Sequence, residues 1–178
     1  MLGLLSGFAF ALFYVIMGIP IAVWADRGNR RNLISVWIAL WSAMTALCGL
    51  AQNFWQLAAA RVGVGVGEAG CTPPAHSMIS DSFPPERRAT AISIYALGVP
   101  IGTLFGLGFG GYLAQELGWQ SAFFVVGVPG VLLAAIAHFT LHEPERGRYD
   151  TGGAAEQESL GATFGFIARL GAMRHALL

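Results

Sequence analysis

The chain has 178 residues, of which 55% are hydrophobic and 11% are charged, and its formal net charge is zero. A soluble domain carries about 25% charged residues, so this composition argues against a water-soluble protein. All basic residues are arginines and none of them forms a long basic run, which argues against a nucleic-acid partner. The mean hydropathy of +0.60 instead predicts an all-α membrane protein.

Five stretches are apolar over the roughly 20 residues that a membrane-spanning helix needs. They cover about residues 4–24, 33–51, 55–79, 89–113 and 121–141. Connections with arginines alternate with connections without them, as the positive-inside rule requires. We therefore expect five transmembrane helices with the arginine-bearing connections in the cytoplasm. The first of these helices then begins on the outer side, so we expect one preceding helix to be missing.

The chain divides at about residue 141 into a membrane part, residues 1–141, and a cytoplasmic linker, residues 142–178. Glu143 and Pro144 end the last apolar stretch, because the residue before a proline disfavours the helical conformation. Farther on, Leu160, Phe164 and Ile167 recur at helical spacing. This spacing predicts an amphipathic cytoplasmic helix that lies at the membrane interface.

Cysteines, histidines and glycines show no pattern of a metal, cofactor or catalytic site. Cys48 and Cys71 lie in apolar stretches, which favours two buried small side chains over a disulfide. His76 and His138 are isolated in apolar surroundings, which favours packed neutral side chains over ligands. The glycine-rich run at 63–67 has no strand before it, as a nucleotide-binding fingerprint requires. We therefore expect no metal, no cofactor and no enzyme activity.

The connection after the first apolar stretch combines an acid with several arginines. Asp26 stands at the end of that stretch, and Arg30 and Arg31 follow it closely. A simple positive-inside anchor explains the arginines by charge alone. Asp81 lies at the same membrane side, however, and guanidinium groups pair bidentately with carboxylates. Arg30 or Arg31 can therefore pair with Asp81 and latch neighbouring helices together.

The third apolar stretch contains an arginine and an acid, Arg61 and Glu68, seven residues apart. Seven residues are two helical turns, so the two side chains share one face, roughly 10 Å apart along the axis. A structural ion pair between helices is one interpretation. A proton or substrate site is the other, because acids inside a membrane usually line transport pathways. We favour the second interpretation, with Glu68 as the proton-sensitive group and Arg61 as its partner or a substrate anchor.

The fourth apolar stretch carries glycines at every fourth position: Gly98, Gly102, Gly106 and Gly110. Small residues at this spacing let helices approach closely in membranes. We therefore expect these glycines to form a helix-packing face.

The connection Asp26-Arg27-x-x-Arg30-Arg31 resembles the loop signature of the major facilitator superfamily, between its second and third helices. Ala22 and Asn29 replace two glycines of that signature. The resemblance implies that the five stretches are helices two to six of a twelve-helix transporter. It also implies a conformational latch formed by Asp26, Arg30 and Asp81.

The third stretch resembles the spinster-like branch of lipid transporters in this superfamily. Arg61 followed by a glycine-rich run is similar to the proton-coupling motif of the superfamily. Gly67-Glu68-Ala69 followed by Pro73-Pro74 is similar to the spinster-like branch. The first-helix acid of that branch is absent here. The fourth stretch resembles an antiporter signature, but Leu107 replaces its proline, which weakens an inference of antiport.

The resemblance implies part of a secondary active transporter, with a partial six-helix bundle and alternating access. The expected partners are membrane lipid, a proton, a small amphipathic organic solute, and the missing first helix and C-terminal half of the same transporter. A bacterial inner membrane is the expected location. An efflux or metabolite carrier of another branch remains an alternative. A non-transporting membrane assembly subunit is a second alternative, which would need no further helices.

Overall fold

A computed structural model describes the backbone of residues 9–149 and the side chains of residues 11–18, 20–21, 23–24 and 28–149. These residues contain helices and no strand, which confirms the predicted all-α class for this part of the chain. The expected amphipathic helix around residues 160–173 lies outside the described residues.

Seven helical segments follow one another in the described part of the chain. They are α1 (Ala9–Arg27), α2 (Arg30–Cys48), α3 (Phe54–Ala69), α4 (Thr72–Ser82), α5 (Pro85–Ala96), α6 (Gly98–Leu117) and α7 (Trp119–Thr140). Asparagine side chains cap two of these helices: Asn29 accepts from the N–H of Asn32, and Asn53 accepts from the N–H of Gln56. These caps satisfy backbone donors that a helix N-terminus leaves unpaired.

Two of the predicted stretches are each divided between two helices. The stretch 55–79 forms α3 and α4, with a break at Gly70 and Cys71, and the stretch 89–113 lies in α5 and α6, with a break at Leu97. Prolines explain both breaks, because a proline ring clashes with the carbonyl four residues before it. Pro74 and Pro100 stand three to four residues after the respective breaks.

Helix α2 lies at the centre of the bundle, where it packs along α7 on one side and against α3 on the other. Helix α1 packs on α3, and α6 packs on α7. Gly67 and Gly127 let the backbones of α3 and α7 approach the backbone of α2 closely. A Cβ at Gly67 would lie 2.8 Å from the backbone nitrogen of Trp41, and one at Gly127 would lie 2.8 Å from the carbonyl oxygen of Ser42.

The two hydrophobic clusters of the described residues lie where α2 meets α3 and α4. One cluster holds Ile34, Cys71, Ala75 and Met78, and the other holds Cys48, Ala60 and Val64. Both cysteines are therefore buried, and neither forms a disulfide.

Within the described residues, three helical stretches are long and apolar enough to cross a membrane by length and composition: Arg30–Cys48, Pro85–Leu117 and Trp119–Thr140. The second of these has almost no buried residues, and many of its large apolar side chains face outward. An outward apolar surface of this kind is stable only against lipid or other apolar protein. The chain is therefore an integral membrane protein, as its composition predicts.

Candidate functional site

The side chain of Arg30 is enclosed at the end of the bundle where the arginine-bearing connections meet. Only 1% of this side chain is exposed, and it pairs with Asp81 at the end of α4 and with Glu143 beyond α7. Its Nε donates to Oε1 of Glu143 at 2.7 Å. The two carboxylate partners offset the free-energy cost of removing this cation from water.

The remaining donors of Arg30 also have acceptors. One terminal nitrogen, which also contacts Asp81, donates to the hydroxyl of Ser77 at 2.8 Å. The other donates to the carbonyl oxygen of Pro144 at 2.9 Å. All three nitrogens of the guanidinium group are therefore in use, which fixes the position of the side chain between α2, α4 and the segment after α7.

We call residues 141–149 the strap, because this segment crosses the ends of α1, α2 and α4. Oε2 of Glu143 accepts from the backbone N–H of Arg31 at 2.9 Å, next to the N-terminus of α2. Arg146 donates to the carbonyl oxygen of Gly28, and the N–H of Gly147 donates to Asp81 at 3.1 Å. Gly147 has a φ of 67°, a conformation that glycine adopts readily. The strap thus ties three helix ends together.

Of the three residues expected to form a latch, Arg30 lies against Asp81. Asp26 belongs to the last turn of α1, and its side chain lies outside the described side chains. The role of these residues as a latch stays a prediction. No sequence pattern indicates that Ser77 or Glu143 joins Arg30. In the sequence, Glu143 indicates only a helix end, because it stands directly before Pro144.

Arg61 and Glu68 lie on the face of α3 that points away from α2. Gly63, Gly67 and Gly70 face side chains of α2. At 100° per residue, Arg61 and Glu68 fall on the opposite side of the helix. Arg61 is half-buried, Glu68 is exposed, and the two charges interact electrostatically. The described part of the bundle therefore presents both charges on the side of α3 that faces away from α2.

Two polar side chains lie on one side of α4. Thr72 and His76 are four residues apart within this helix, so they lie one above the other. The ring of His76 meets that of Tyr95 edge-on, with centroids 5.4 Å apart. His76 is exposed among the described residues apart from this ring contact, so its expected state as a packed neutral side chain stays a prediction.

The glycines of α6 have open space around them. A Cβ added at Gly98, Gly102, Gly106 or Gly110 would meet nothing within 4 Å among the described residues. The glycines that do bring helices together belong to α3 and α7, as at Gly67 and Gly127. Within the described bundle, the repeat on α6 is therefore an unoccupied face, and its expected packing role stays a prediction.

The searched part of the chain, residues 9–149, holds no group of three histidine, cysteine or acidic side chains that could bind a metal ion. The chemistry that the described residues offer is therefore that of charged and hydrogen-bonding side chains.

Comparison with known proteins identifies similar sequences and structures. Residues 1–177 match the family model of the Major Facilitator Superfamily. An MFS-type efflux pump of Mycolicibacterium smegmatis is 41% identical over 76% of this chain and 32% of its own length. A probable sphingolipid transporter, spinster homolog 1 of Arabidopsis thaliana, is 33% identical over 81% of this chain and 29% of its own length. The chain thus spans about a third of the length of these relatives.

Two crystal structures of a bacterial homolog to the human lysosomal transporter spinster have the same fold. The inward-facing, unoccupied structure is 44% identical, with a TM-score of 0.76 over 93% of this chain and 40% of the other. The inward-facing, occupied structure is 48% identical, with a TM-score of 0.72 over 83% of this chain and 37% of the other.

Proposed function

The chain belongs to the Major Facilitator Superfamily, a family of transporters rather than enzymes, and we propose that it is part of a proton-coupled secondary transporter for a lipid-like or amphipathic organic solute. Alternating access in this proposal moves the two halves of the transporter around a site near the membrane midplane. In this proposal a first helix and a C-terminal half of the same transporter complete the pathway, since the chain spans about a third of the length of its relatives.

The observation that carries the proposal is the position of Glu68. An ionised carboxylate inside a membrane is costly, so it is kept where it has a partner, a water-filled cavity or a proton. Glu68 has Arg61 on its own helix face, and the described residues leave its side chain exposed on the side away from α2. This arrangement supports Glu68 as the proton-sensitive group and Arg61 as its partner or as an anchor for the solute.

Two relatives support a lipid-like solute. The plant relative is described as a probable sphingolipid transporter, and the structural neighbours are bacterial homologs to spinster. The apolar outward surface of α5 and α6 is compatible with a solute that partitions into the membrane.

Transport by the intact parent protein in proteoliposomes tests the proposal. We expect Glu68→Gln to remove the response of uptake to a proton gradient, because glutamine cannot exchange a proton. Glu116→Gln is the matched control, since Glu116 is an exposed acid near the C-terminal end of α6. If Glu68→Gln leaves proton-driven uptake equal to that of the control, the assignment of Glu68 is wrong.

The cluster around Arg30 supports a second role within the same function, that of a conformational latch. Asp26, Arg30 and Asp81 are the proposed members, and the observed pair of Arg30 with Asp81 is the contact that supports it. Such a contact between helix ends can favour one of two conformations of a transporter, because it must break when the ends separate.

An efflux carrier of another branch is the alternative function, and the relative in M. smegmatis favours it. The two candidates differ in solute and direction. Parent-containing vesicles that move a drug-like cation outward but not a long-chain amphiphile would favour efflux. Membership of a transporter family counts against a non-transporting assembly subunit.

We place the parent in a bacterial inner membrane, with the arginine-bearing end in the cytoplasm. The solved structures of bacterial homologs support a bacterial source. Arg30 contacts Asp81 and Glu143, which supports one common membrane side for the connections that carry these residues.

A further inference from the structure

His76 occupies the open side of α4. The packed side of this helix lies against α2, where Ala75 and Met78 belong to a buried cluster and Asp81 pairs with Arg30. At 100° per residue, His76 points away from this packed side, and its side chain is exposed. It also lies within the third apolar stretch of the chain. An ionisable ring at such a place is kept where it meets water or a polar neighbour.

Glu68 lies on the same open side of the bundle as His76. The glycines of α3 face α2, so Glu68 points away from α2, as His76 does. Helix α3 begins at the arginine-free connection, and α4 ends at the arginine-bearing end, which we place in the cytoplasm. His76 therefore stands between Glu68 and the cytoplasm, eight residues from Glu68 and roughly 12 Å along the helix axis.

The ring of Tyr95 on α5 holds the imidazole of His76 at the side of α4. The two rings meet edge-on, with centroids 5.4 Å apart. Cys71, at the break between α3 and α4, interacts electrostatically with both Glu68 and Tyr95. These contacts place Glu68, Tyr95 and His76 around the same break, on the side of the bundle that carries the proposed pathway.

The nearest cation on α2 is enclosed on the packed side of α4. Arg30 donates to the hydroxyl of Ser77, the residue after His76. It is also paired with Asp81 and Glu143, and its side chain is buried. The charge of Arg30 is therefore held by its own carboxylate partners rather than by the imidazole.

The ionisable groups of α1 and α5 lie around Tyr95 rather than directly on His76. Tyr14 of α1 interacts electrostatically with Tyr95. Arg87 of α5 lies eight residues before Tyr95, roughly 12 Å closer to the cytoplasmic end. The acid on the open side of α3 and α4 is Glu68, so Glu68 is the group with which His76 is placed to exchange protons.

We propose that His76 is a second proton carrier of the transporter, which passes protons between Glu68 and the cytoplasm. The carboxyl group of Glu68 gives up a proton to intervening water and becomes a carboxylate. The free ring nitrogen of neutral His76 takes up one proton from this water, and the resulting imidazolium releases one proton to the cytoplasm. Histidine suits this step because its two ring nitrogens can bind and release protons near neutral pH.

The claim that this proton movement drives transport rests on the proposed function. A packed neutral side chain, which the apolar surroundings of His76 in the sequence favour, is the competing interpretation. A packed side chain would take up no proton, whereas a proton carrier must do so. The two interpretations therefore differ in a property that can be measured without any solute.

Nuclear magnetic resonance of the intact parent, with ¹⁵N-labelled histidine and in phosphatidylcholine nanodiscs, measures this property. The signal of His76 is identified by its loss in His76→Gln. His138→Gln is the matched control, because His138 also contacts a neighbouring aromatic ring, that of Phe139 on α7. We expect the His76 signal to move as the buffer pH is lowered, because the ring gains a proton. A His76 signal that stays constant from about pH 8 to pH 5 overturns the proposal.

Transport by the parent in proteoliposomes tests whether the proton passes His76. Radiolabelled sphingosine-1-phosphate is the probe, because the plant relative is described as a probable sphingolipid transporter. We expect His76→Gln to reduce uptake driven by a proton gradient about tenfold or more, the usual effect of losing a proton-transfer group. Exchange of labelled for unlabelled probe at equal pH should be unchanged, because exchange needs no net release of protons. His138→Gln should alter neither.

Equal losses of driven uptake and of exchange would assign a structural role to His76 and overturn the proposal. Unchanged driven uptake in His76→Gln would also overturn it, provided that Glu68→Gln abolishes driven uptake. A parent without proton-driven uptake of the probe would contradict the proposed function instead. A moving His76 signal would then retain His76 as a proton-binding group and remove its role in coupling.

Discussion

Arg30 is the most completely enclosed charged side chain in the described part of the molecule, and its partners come from three distant parts of the chain. Asp81 and Ser77 belong to α4, and Glu143 and Pro144 belong to the strap. Loss of one partner leaves the cation with fewer contacts in a place that water cannot reach, so each partner contributes to the stability of this end of the bundle.

Replacement of Glu143 by glutamine is expected to lower the free energy of unfolding of the parent protein. Glutamine keeps a hydrogen-bond acceptor and loses the charge, and the Glu143 side chain is 25% exposed. We therefore expect a loss of about 1–2 kcal/mol. Asp81→Asn should cost more, about 3 kcal/mol, because Asp81 is more deeply buried. Denaturant titration of the parent in detergent micelles measures both.

Glu145→Gln is the control for these two variants, because Glu145 is exposed on the strap and is not a partner of Arg30. Equal stability of the Glu143 and Glu145 variants would mean that the strap does not stabilise the bundle through Arg30.

At the scale of elements, two sets of glycines of similar spacing have different surroundings. Those of α3 face the side chains of α2, whereas those of α6 face open space among the described residues. Gly63 and Gly67 have the same four-residue spacing as the glycines of α6, but only the position of the neighbouring helix shows which set brings two backbones together.

Gly67→Ala is expected to destabilise the parent by about 1–3 kcal/mol, because the added methyl group would force α2 and α3 apart. A Cβ at this position would lie 2.8 Å from the backbone nitrogen and the Cβ of Trp41. Gly102→Ala is the matched control, since a Cβ there meets nothing within 4 Å. Thermal unfolding in detergent compares the two.

Unchanged stability of the Gly67 variant would show that α2 and α3 can separate at little cost. A loss at Gly102 as large as that at Gly67 would show that α6 packs on parts of the parent outside this chain, as the expected helix-packing role requires.

The breaks between α3 and α4 and between α5 and α6 also belong to this scale. Pro74 and Pro100 predict kinks, and the sequence placed prolines within both stretches. Hydropathy alone treats each stretch as continuous, because it does not register the clash of a proline ring with an earlier carbonyl.

At the scale of the whole molecule, two surfaces have the same implication for the rest of the transporter. They are the outward apolar surface of α5 and α6 and the exposed side of α3 that carries Glu68. Both surfaces need an apolar or functional neighbour, and the chain spans 32% of the relative in M. smegmatis. We propose that the remainder of the parent supplies that neighbour and completes the pathway that includes Glu68.

This chain alone is expected to show no transport, because alternating access needs a second half to move against. Proteoliposomes that contain the chain should take up no more of a radiolabelled long-chain amphiphile than empty liposomes do. Proteoliposomes that contain the parent should show saturable uptake under a proton gradient. Saturable uptake by the chain alone would contradict the two-half mechanism and favour a self-assembling unit.

The sequence by itself determined the membrane class, the helical fold and the common side of the arginines. These properties follow from composition, from the length of apolar stretches and from the alternation of charge, all of which are local. The two motifs also placed Arg30, Asp81, Arg61 and Glu68 as candidate residues before any distance was known.

Only the tertiary structure decided which side chains meet. Arg30 and Glu143 are 113 positions apart, and neither spacing nor hydropathy connects them. The contact between His76 and Tyr95 likewise depends on how α4 and α5 lie together. Local patterns indicate which side chains share one face of a helix. Contacts between helices depend on how all of the helices pack together.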